Sequence, residues 1–258
     1  GVGMTFNAFG DLAFQYVLAT TSQLPDLSVA DVGYLLTYPF LFVGVAIMVR
    51  ERSRASVRDI LVDACTVAVV AGLVIWQFLV VNPGLTEDGP LVQRIVFSSY
   101  PLLDVLIVGA LVGLLLSPGR RTESASLIAG FFIAFLANDI FYNVIQIAGA
   151  DHLASVSDAG YIVAYGLLTA AALHRSAATL ESDAGVRRLG VSRPRMVLLG
   201  VALVGAPAMA VLTPQLGLQH QAPVYIAAAA LVSVLVLNRL SSLVRSLDRE
   251  QNRLAEAE

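Results

Sequence analysis

Asp11, Asp104 and Asp139 each stand well inside a long apolar run. A charged side chain at mid-membrane costs about 2.5–3.5 kcal/mol on insertion scales, so such groups turn toward a bundle interior or a wet cavity. Tyrosines accompany them at helical spacing. Asp31, Tyr34 and Tyr38 form one stripe, and Asp158, Tyr161 and Tyr165 form another. Tyr100 precedes Asp104 by one turn, Asn7 and Gln15 flank Asp11, and Asp139 shares a face with Tyr142, Asn143 and Gln146. Carboxylates and aromatic faces both attract positive charge, so the chemistry suits a cationic or hydrogen-bond-donating guest. Asp11, Tyr34, Tyr38, Tyr100, Asp104, Asp139, Asn143, Tyr161 and Tyr165 are the candidate ligand-binding residues. Gly33 and Gly160 would leave the rim of such a pocket uncrowded. Two plainer roles stand beside this one. Interhelical hydrogen bonds worth about 0.6 kcal/mol each would place the same residues for packing alone, and an interfacial tyrosine belt would account for Tyr34 and Tyr161.

The stripes belong to a repeat. Residues 28–38 and 155–165 share S-V-x-D-x-G-Y-x-x-x-Y, and the preceding runs pair Gly10-Asp11 with Asn138-Asp139. Tyr100-Pro101 echoes Tyr38-Pro39 more faintly. Ser28 with Asp31, and Ser155 with Asp158, have capping-box spacing and start helices. The repeating unit is a helical hairpin used in one orientation, an arrangement known in transporters as well as receptors.

Long helices must carry these residues. Hydrophobic residues make up 57% of the chain and charged ones 14%, against about 25% charged in soluble domains. Mean hydropathy is +0.76. Roughly 20 apolar helical residues cross the hydrocarbon, and the runs predict about eight spans at 1–21, 29–50, 57–81, 91–117, 124–148, 157–178, 195–214 and 223–246. The fold class is therefore an all-α polytopic transmembrane bundle of repeated hairpins. Arginine collects on alternate hinges: Arg50, Arg52, Arg54 and Arg58, then Arg120 and Arg121, then Arg175, Arg187, Arg188, Arg193 and Arg195. The opposite hinges carry Asp26, Glu87, Asp88 and Asp151, with Arg94 the nearest exception. The positive-inside rule then places both termini in the cytoplasm of a cell inner (plasma) membrane. Residue 1 is Gly, which suggests a trimmed N-terminus, and residues 1–21 lack the basic start of a signal peptide.

Other chemistries are disfavoured. All 16 basic residues are arginine, which removes a retinal Schiff base. One cysteine, Cys65, allows neither an intrachain disulfide nor a multi-cysteine metal site. His152, His174 and His220 do not form a metal pattern, so neither metal nor cofactor is expected. No H-E-x-x-H or G-x-S-x-G motif is present, and no catalytic residue is assigned. Asp59 and Asp63 are expected to pair with Arg50, Arg54 or Arg58. Trp76 is expected in the interfacial belt, and Pro39, Pro101 and Pro207 at helix kinks.

The last span runs into a charged helix. Leu240, Leu243, Leu247 and Leu254 occupy a, d, a and a positions of a heptad, with Glu250 at the intervening d. This predicts a cytoplasmic coiled-coil exit helix and a parallel homodimer, though an amphipathic tail has the same composition. Residues 1–238 then form the membrane domain, and residues 239–258 begin a signalling helix toward a cytoplasmic output domain.

The S-x-x-D-x-G-Y-L-L-x-Y-P run at 28–39, the Y-P-L-L-D run at 100–104 and the charged exit helix resemble the N-terminal membrane region of actinobacterial signalling proteins that carry GGDEF and EAL domains. The resemblance covers nearly the whole chain. It implies a sensory half joined to a cyclic di-GMP cyclase or phosphodiesterase output. On that basis the expected function is an input module that binds a small molecule or lipid in its outer half. Its partners are the bilayer, that ligand and a second copy, with no nucleic acid. A small-solute transporter or channel is the alternative.

Overall fold

The computed structural model describes residues 1–21, 27–52, 57–81, 90–117, 122–179, 193–219 and 221–255. Within them the chain forms eight long α-helices and no strand: α1 Val2–Thr20, α2 Val29–Arg52, α3 Val57–Ile75, α4 Leu91–Leu116, α5 Glu123–Ala148, α6 Ala154–Leu173, α7 Arg193–Gln215 and α8 Ala222–Ala255. A π-helical segment, Trp76–Val81, extends α3. Seven of these helices, α2 to α8, are long and apolar enough to cross a membrane. The chain is thus a multi-pass membrane protein in architecture. Eight spans were expected, and α1 is the helix that differs. Its 19 residues hold Asn7, Asp11 and Gln15.

Consecutive helices pack as antiparallel hairpins, α1 with α2, α3 with α4, α5 with α6 and α7 with α8. The hairpins join through α2 against α4, α4 against α5, and α3 against α7 and α8. One half of the bundle centres on Tyr38, Ile107, Phe131, Phe132 and Phe135, contributed by α2, α4 and α5. The other half centres on Leu73, Ala206, Tyr225 and Ala228 from α3, α7 and α8. Outward faces stay apolar, as lipid-facing surface does: Ile162 is 71% exposed and Leu173 82%. Helices α2, α4 and α7 continue through Pro39, Pro101 and Pro207.

Backbones approach closely at α1 and α2. A Cβ on Gly33 would stand 2.7 Å from the Phe6 carbonyl oxygen and 2.9 Å from Gly10 Cα. Thr37 donates its hydroxyl to the Gly3 and Gly33 carbonyls at 3.3 and 3.0 Å. Gly3 therefore lies beside the middle of α2 and Gly10 beside its start.

The hinge arginines Arg54, Arg120, Arg121, Arg187 and Arg188 lie outside the described residues, as do Asp26, Glu87, Asp88 and His220. Leu247, Glu250 and Leu254 fall on α8, but their side chains are outside the described set. Leu240 is 50% exposed and Leu243 half-buried.

Candidate functional site

The polar residues of five helices meet in the half of the bundle nearer the acid-bearing hinges. Asp139 of α5 is the centre. It accepts the Tyr161 hydroxyl at 2.5 Å and the Tyr38 hydroxyl at 3.2 Å. Asp104 of α4 lies within hydrogen-bonding reach of both Asp139 and Tyr38. Tyr38, Asp104 and Asp139 are 4%, 1% and 6% exposed. Around this core, Tyr34 donates to Asp11 at 3.0 Å and Tyr100 donates to Asp31 at 2.7 Å, while Tyr165 lies beside Asn7.

The repeat explains the pattern. Tyr34 to Asp11 within α1–α2 is the same bond as Tyr161 to Asp139 within α5–α6. The second tyrosine of each hairpin crosses to the other hairpin: Tyr38 reaches Asp139, and Tyr165 reaches Asn7. Phe135 sits at the crossing, with ring centroids 5.9 Å from Tyr38 and 5.8 Å from Tyr161. The symmetry stops at the acids, because Asp11 is exposed whereas α4 brings Asp104 against Asp139.

Eight of the nine candidate residues gather in this half of the bundle, in separate hydrogen-bonded groups rather than one chain: Asp139 with Tyr38, Tyr161 and Asp104, Tyr34 with Asp11, and Tyr100 with Asp31, with Tyr165 beside Asn7. Asn143 is the exception. Its amide folds back to the Asp139 carbonyl at 2.8 Å, one turn away on its own helix. Tyr142 and Gln146, on the same predicted face, are exposed. The two predicted rim glycines are helix contacts instead. Gly33 meets the α1 backbone, and Gly160 seats the Asn138 side chain, which donates to Ser157 at 3.2 Å.

Asp31 does more than cap. Its carboxylate accepts the Ser28 amide at 2.8 Å while Ser28 Oγ accepts the Ala30 amide, and its other oxygen takes Tyr100. The second capping box does not form. A 3-10 turn at Asp151–Leu153 starts α6 early, its N-cap is Leu153, and Ser155 and Asp158 are exposed. Asn7 and Asp31 partner candidate residues without having been candidates, and Asn138 ties α5 to α6 through Ser157. Asn7 and Asp31 had a signal in their stripes, and Asn138 only in its repeat position.

A second polar site ties α3 to α8 at the arginine-bearing end. Arg239 is 2% exposed and stands 2.5 Å from Asp59 and 3.2 Å from Asp63. Ser242 donates to Asp59 at 3.0 Å and Arg58 to Asn238 at 3.4 Å. The neighbouring hinge arginines were the expected partners. Packing α8 antiparallel on α3 brings Arg239 against both acids, and Arg54 lies outside the described residues. At the opposite end Gln77, on the π-helical segment, accepts the Tyr225 hydroxyl and donates to the Gln219 carbonyl at 3.1 Å. Trp76, assigned to the interfacial belt, donates to Gln221 at 3.2 Å. His174 contacts Glu123 at 3.0 Å and Ser176 at 2.9 Å, while His152 is exposed.

Two open grooves lie on the other half of the bundle. One, about 420 Å³, is lined by Cys65, Gly72, Trp76, Val105 and Val224 among others; the second, about 520 Å³, is lined by Val57, Leu61 and Leu235. Among the described residues no group of three or more His, Cys, Asp or Glu is placed to hold a metal ion. The chain matches no protein-family model, no curated protein and no solved structure.

Proposed function

We propose that this chain is the membrane input module of a signalling protein. The polar cluster of α1, α2, α4, α5 and α6 is its receptor site, and α8 is its output. The carrying observation is α8 itself. It is one unbroken helix of 34 residues, mostly apolar from Ala222 to Leu237 and increasingly charged from Arg239 onward, and Arg239 ties it to α3. A continuous helix transmits a shift or rotation along its length, which a solute pathway does not need. The α4–α5, α3–α4 and α3–α8 contacts connect the cluster to that helix. A homodimer through the Leu240, Leu243, Leu247 and Leu254 seam, and a cyclic di-GMP cyclase or phosphodiesterase output, complete the proposal on the family resemblance.

The test is crosslinking in native membranes through a cysteine at Leu247, with Cys65 replaced by Ser. A covalent dimer is expected, and Leu243→Asp should reduce its yield several-fold by charging the apolar seam. A monomer in every condition removes the dimeric output. A transporter is the second reading, favoured by the buried acids Asp104 and Asp139 within a repeated hairpin. Dissipation of an imposed proton or sodium gradient by reconstituted protein, at rates above empty liposomes, would favour it.

A further inference from the structure

We propose that Asp104 and Asp139 hold one exchangeable proton between them, and that this proton is the ligand of the polar cluster. The inference deepens the receptor reading above and rests on it for its consequence, though not for its chemistry.

The two carboxyl groups come from different helices, α4 and α5, and meet where both are almost fully buried. Their hydrogen-bond donors are the neutral hydroxyls of Tyr38 and Tyr161. The titratable groups facing the pair are Tyr38 from α2 and Tyr161 and Tyr165 from α6, with Asp11 of α1 farther out. None of them is a cation. Asp104 Oδ1 is buried and has no hydrogen-bond partner. Two carboxylates in contact would repel, and an ion buried without a countercharge is strongly disfavoured. One proton resolves both problems. It makes Asp104 a donor to Asp139, whose remaining acceptor capacity is filled by the two tyrosines. A metal site would need more ligands than this pair supplies.

Release of the proton, as H⁺ to water, leaves two negative charges at the junction of α4 and α5. Repulsion then separates these helices, and α4 packs on α3, which carries α8.

The decisive measurement is infrared spectroscopy of the full chain in lipid nanodiscs, with the exit-helix crosslink read on the same preparation across pH. The wild type should show a protonated-carboxyl C=O band that shifts in D₂O and disappears as pH rises. Asp104→Asn should lose it. If that variant does not fold, Tyr161→Phe keeps the test open, since removing a donor from Asp139 should shift the band without abolishing it. A band insensitive to both substitutions, or no such band at any pH, overturns the proposal. So does a band lost on adding NaCl or KCl at constant pH, which would make a monovalent cation the ligand. A titrating band with a pH-independent crosslink keeps the proton site and rejects the signalling reading. A crosslink that responds with no band does the reverse.

Discussion

Asp139 and Asp11 hold equivalent places in the two repeated hairpins and live in different surroundings. Each accepts its own hairpin's first tyrosine, yet only Asp139 is buried and touches a second acid. The same contrast applies to the paired glycines. At Gly33 an added Cβ meets backbone atoms of α1, which cannot yield without parting the helices. At Gly160 it meets the Asn138 side-chain oxygen, the far end of a side chain that can rotate away. Gly33→Ala should therefore cost about 1–3 kcal/mol, the range for overpacking. Gly160→Ala should cost about 0.6 kcal/mol, the size of one interhelical hydrogen bond in a membrane protein. Gly200→Ala, whose added Cβ meets nothing within 4 Å, is the control for the helix-propensity change that all three share. Melting temperatures in detergent check the order, and a Gly160→Ala loss larger than that of Gly33→Ala would refute it. Helical spacing in the sequence exposed the stripes that carry Asp11, Tyr34, Tyr38, Tyr161 and Tyr165. It did not distinguish the buried acid from the exposed one, because α4 decides that and spacing within a hairpin contains no information about α4. Asn143 failed for a related reason: a shared helix face says nothing of an amide that bonds its own backbone.

At the scale of helices, α3 and α8 are pinned at both ends. Gln77 binds Tyr225 near one end, and Arg239 binds Asp59 and Asp63 near the other. Asp63 is fully buried, and Arg239 stands 3.2 Å from it. Replacing one partner of a buried ion pair costs about 3–5 kcal/mol, whereas replacing both with apolar groups is often neutral. Arg239→Leu should lower stability by that amount, and Arg239→Leu combined with Asp63→Leu should recover most of it. Urea denaturation in mild detergent provides the measurement. A double variant no better than the single one would show that Asp59, rather than Asp63, carries the interaction. The helices themselves were legible because apolar runs and hinge composition mark their ends within a few residues. The partner of Asp59 and Asp63 was not. Sequence proximity pointed to Arg50, Arg54 and Arg58, while antiparallel packing supplied an arginine from the far end of the chain. The π-helical turn that aims Gln77 inward likewise leaves no periodic signature in Trp76–Val81.

The whole molecule follows from a hairpin used repeatedly in one orientation. Because neighbouring helices are antiparallel, the hinges after α2, α4 and α6 share one end of the bundle, and those after α1, α3, α5 and α7 share the other. The polar cluster lies toward the second end and the Arg239 site toward the first. Arginine is depleted from the translocated side of short loops, so the proposed receptor reading expects the Arg239 site on the cytoplasmic side and the cluster in the outer half. On the proposal above, the proton would then exchange with the outer side. In a Cys65→Ser background, a membrane-impermeant maleimide should label Glu87→Cys on intact cells. It should label Gly119→Cys only after lysis. Thr21→Cys, on the hinge between α1 and α2, should behave like Glu87→Cys, because α1 runs antiparallel to α2 and both meet that hinge. Labelling of Gly119→Cys but not Glu87→Cys on intact cells would invert the bundle. The polar cluster would then face the cytoplasm, and α8 would leave the membrane on the outside, where no nucleotide-signalling output could act.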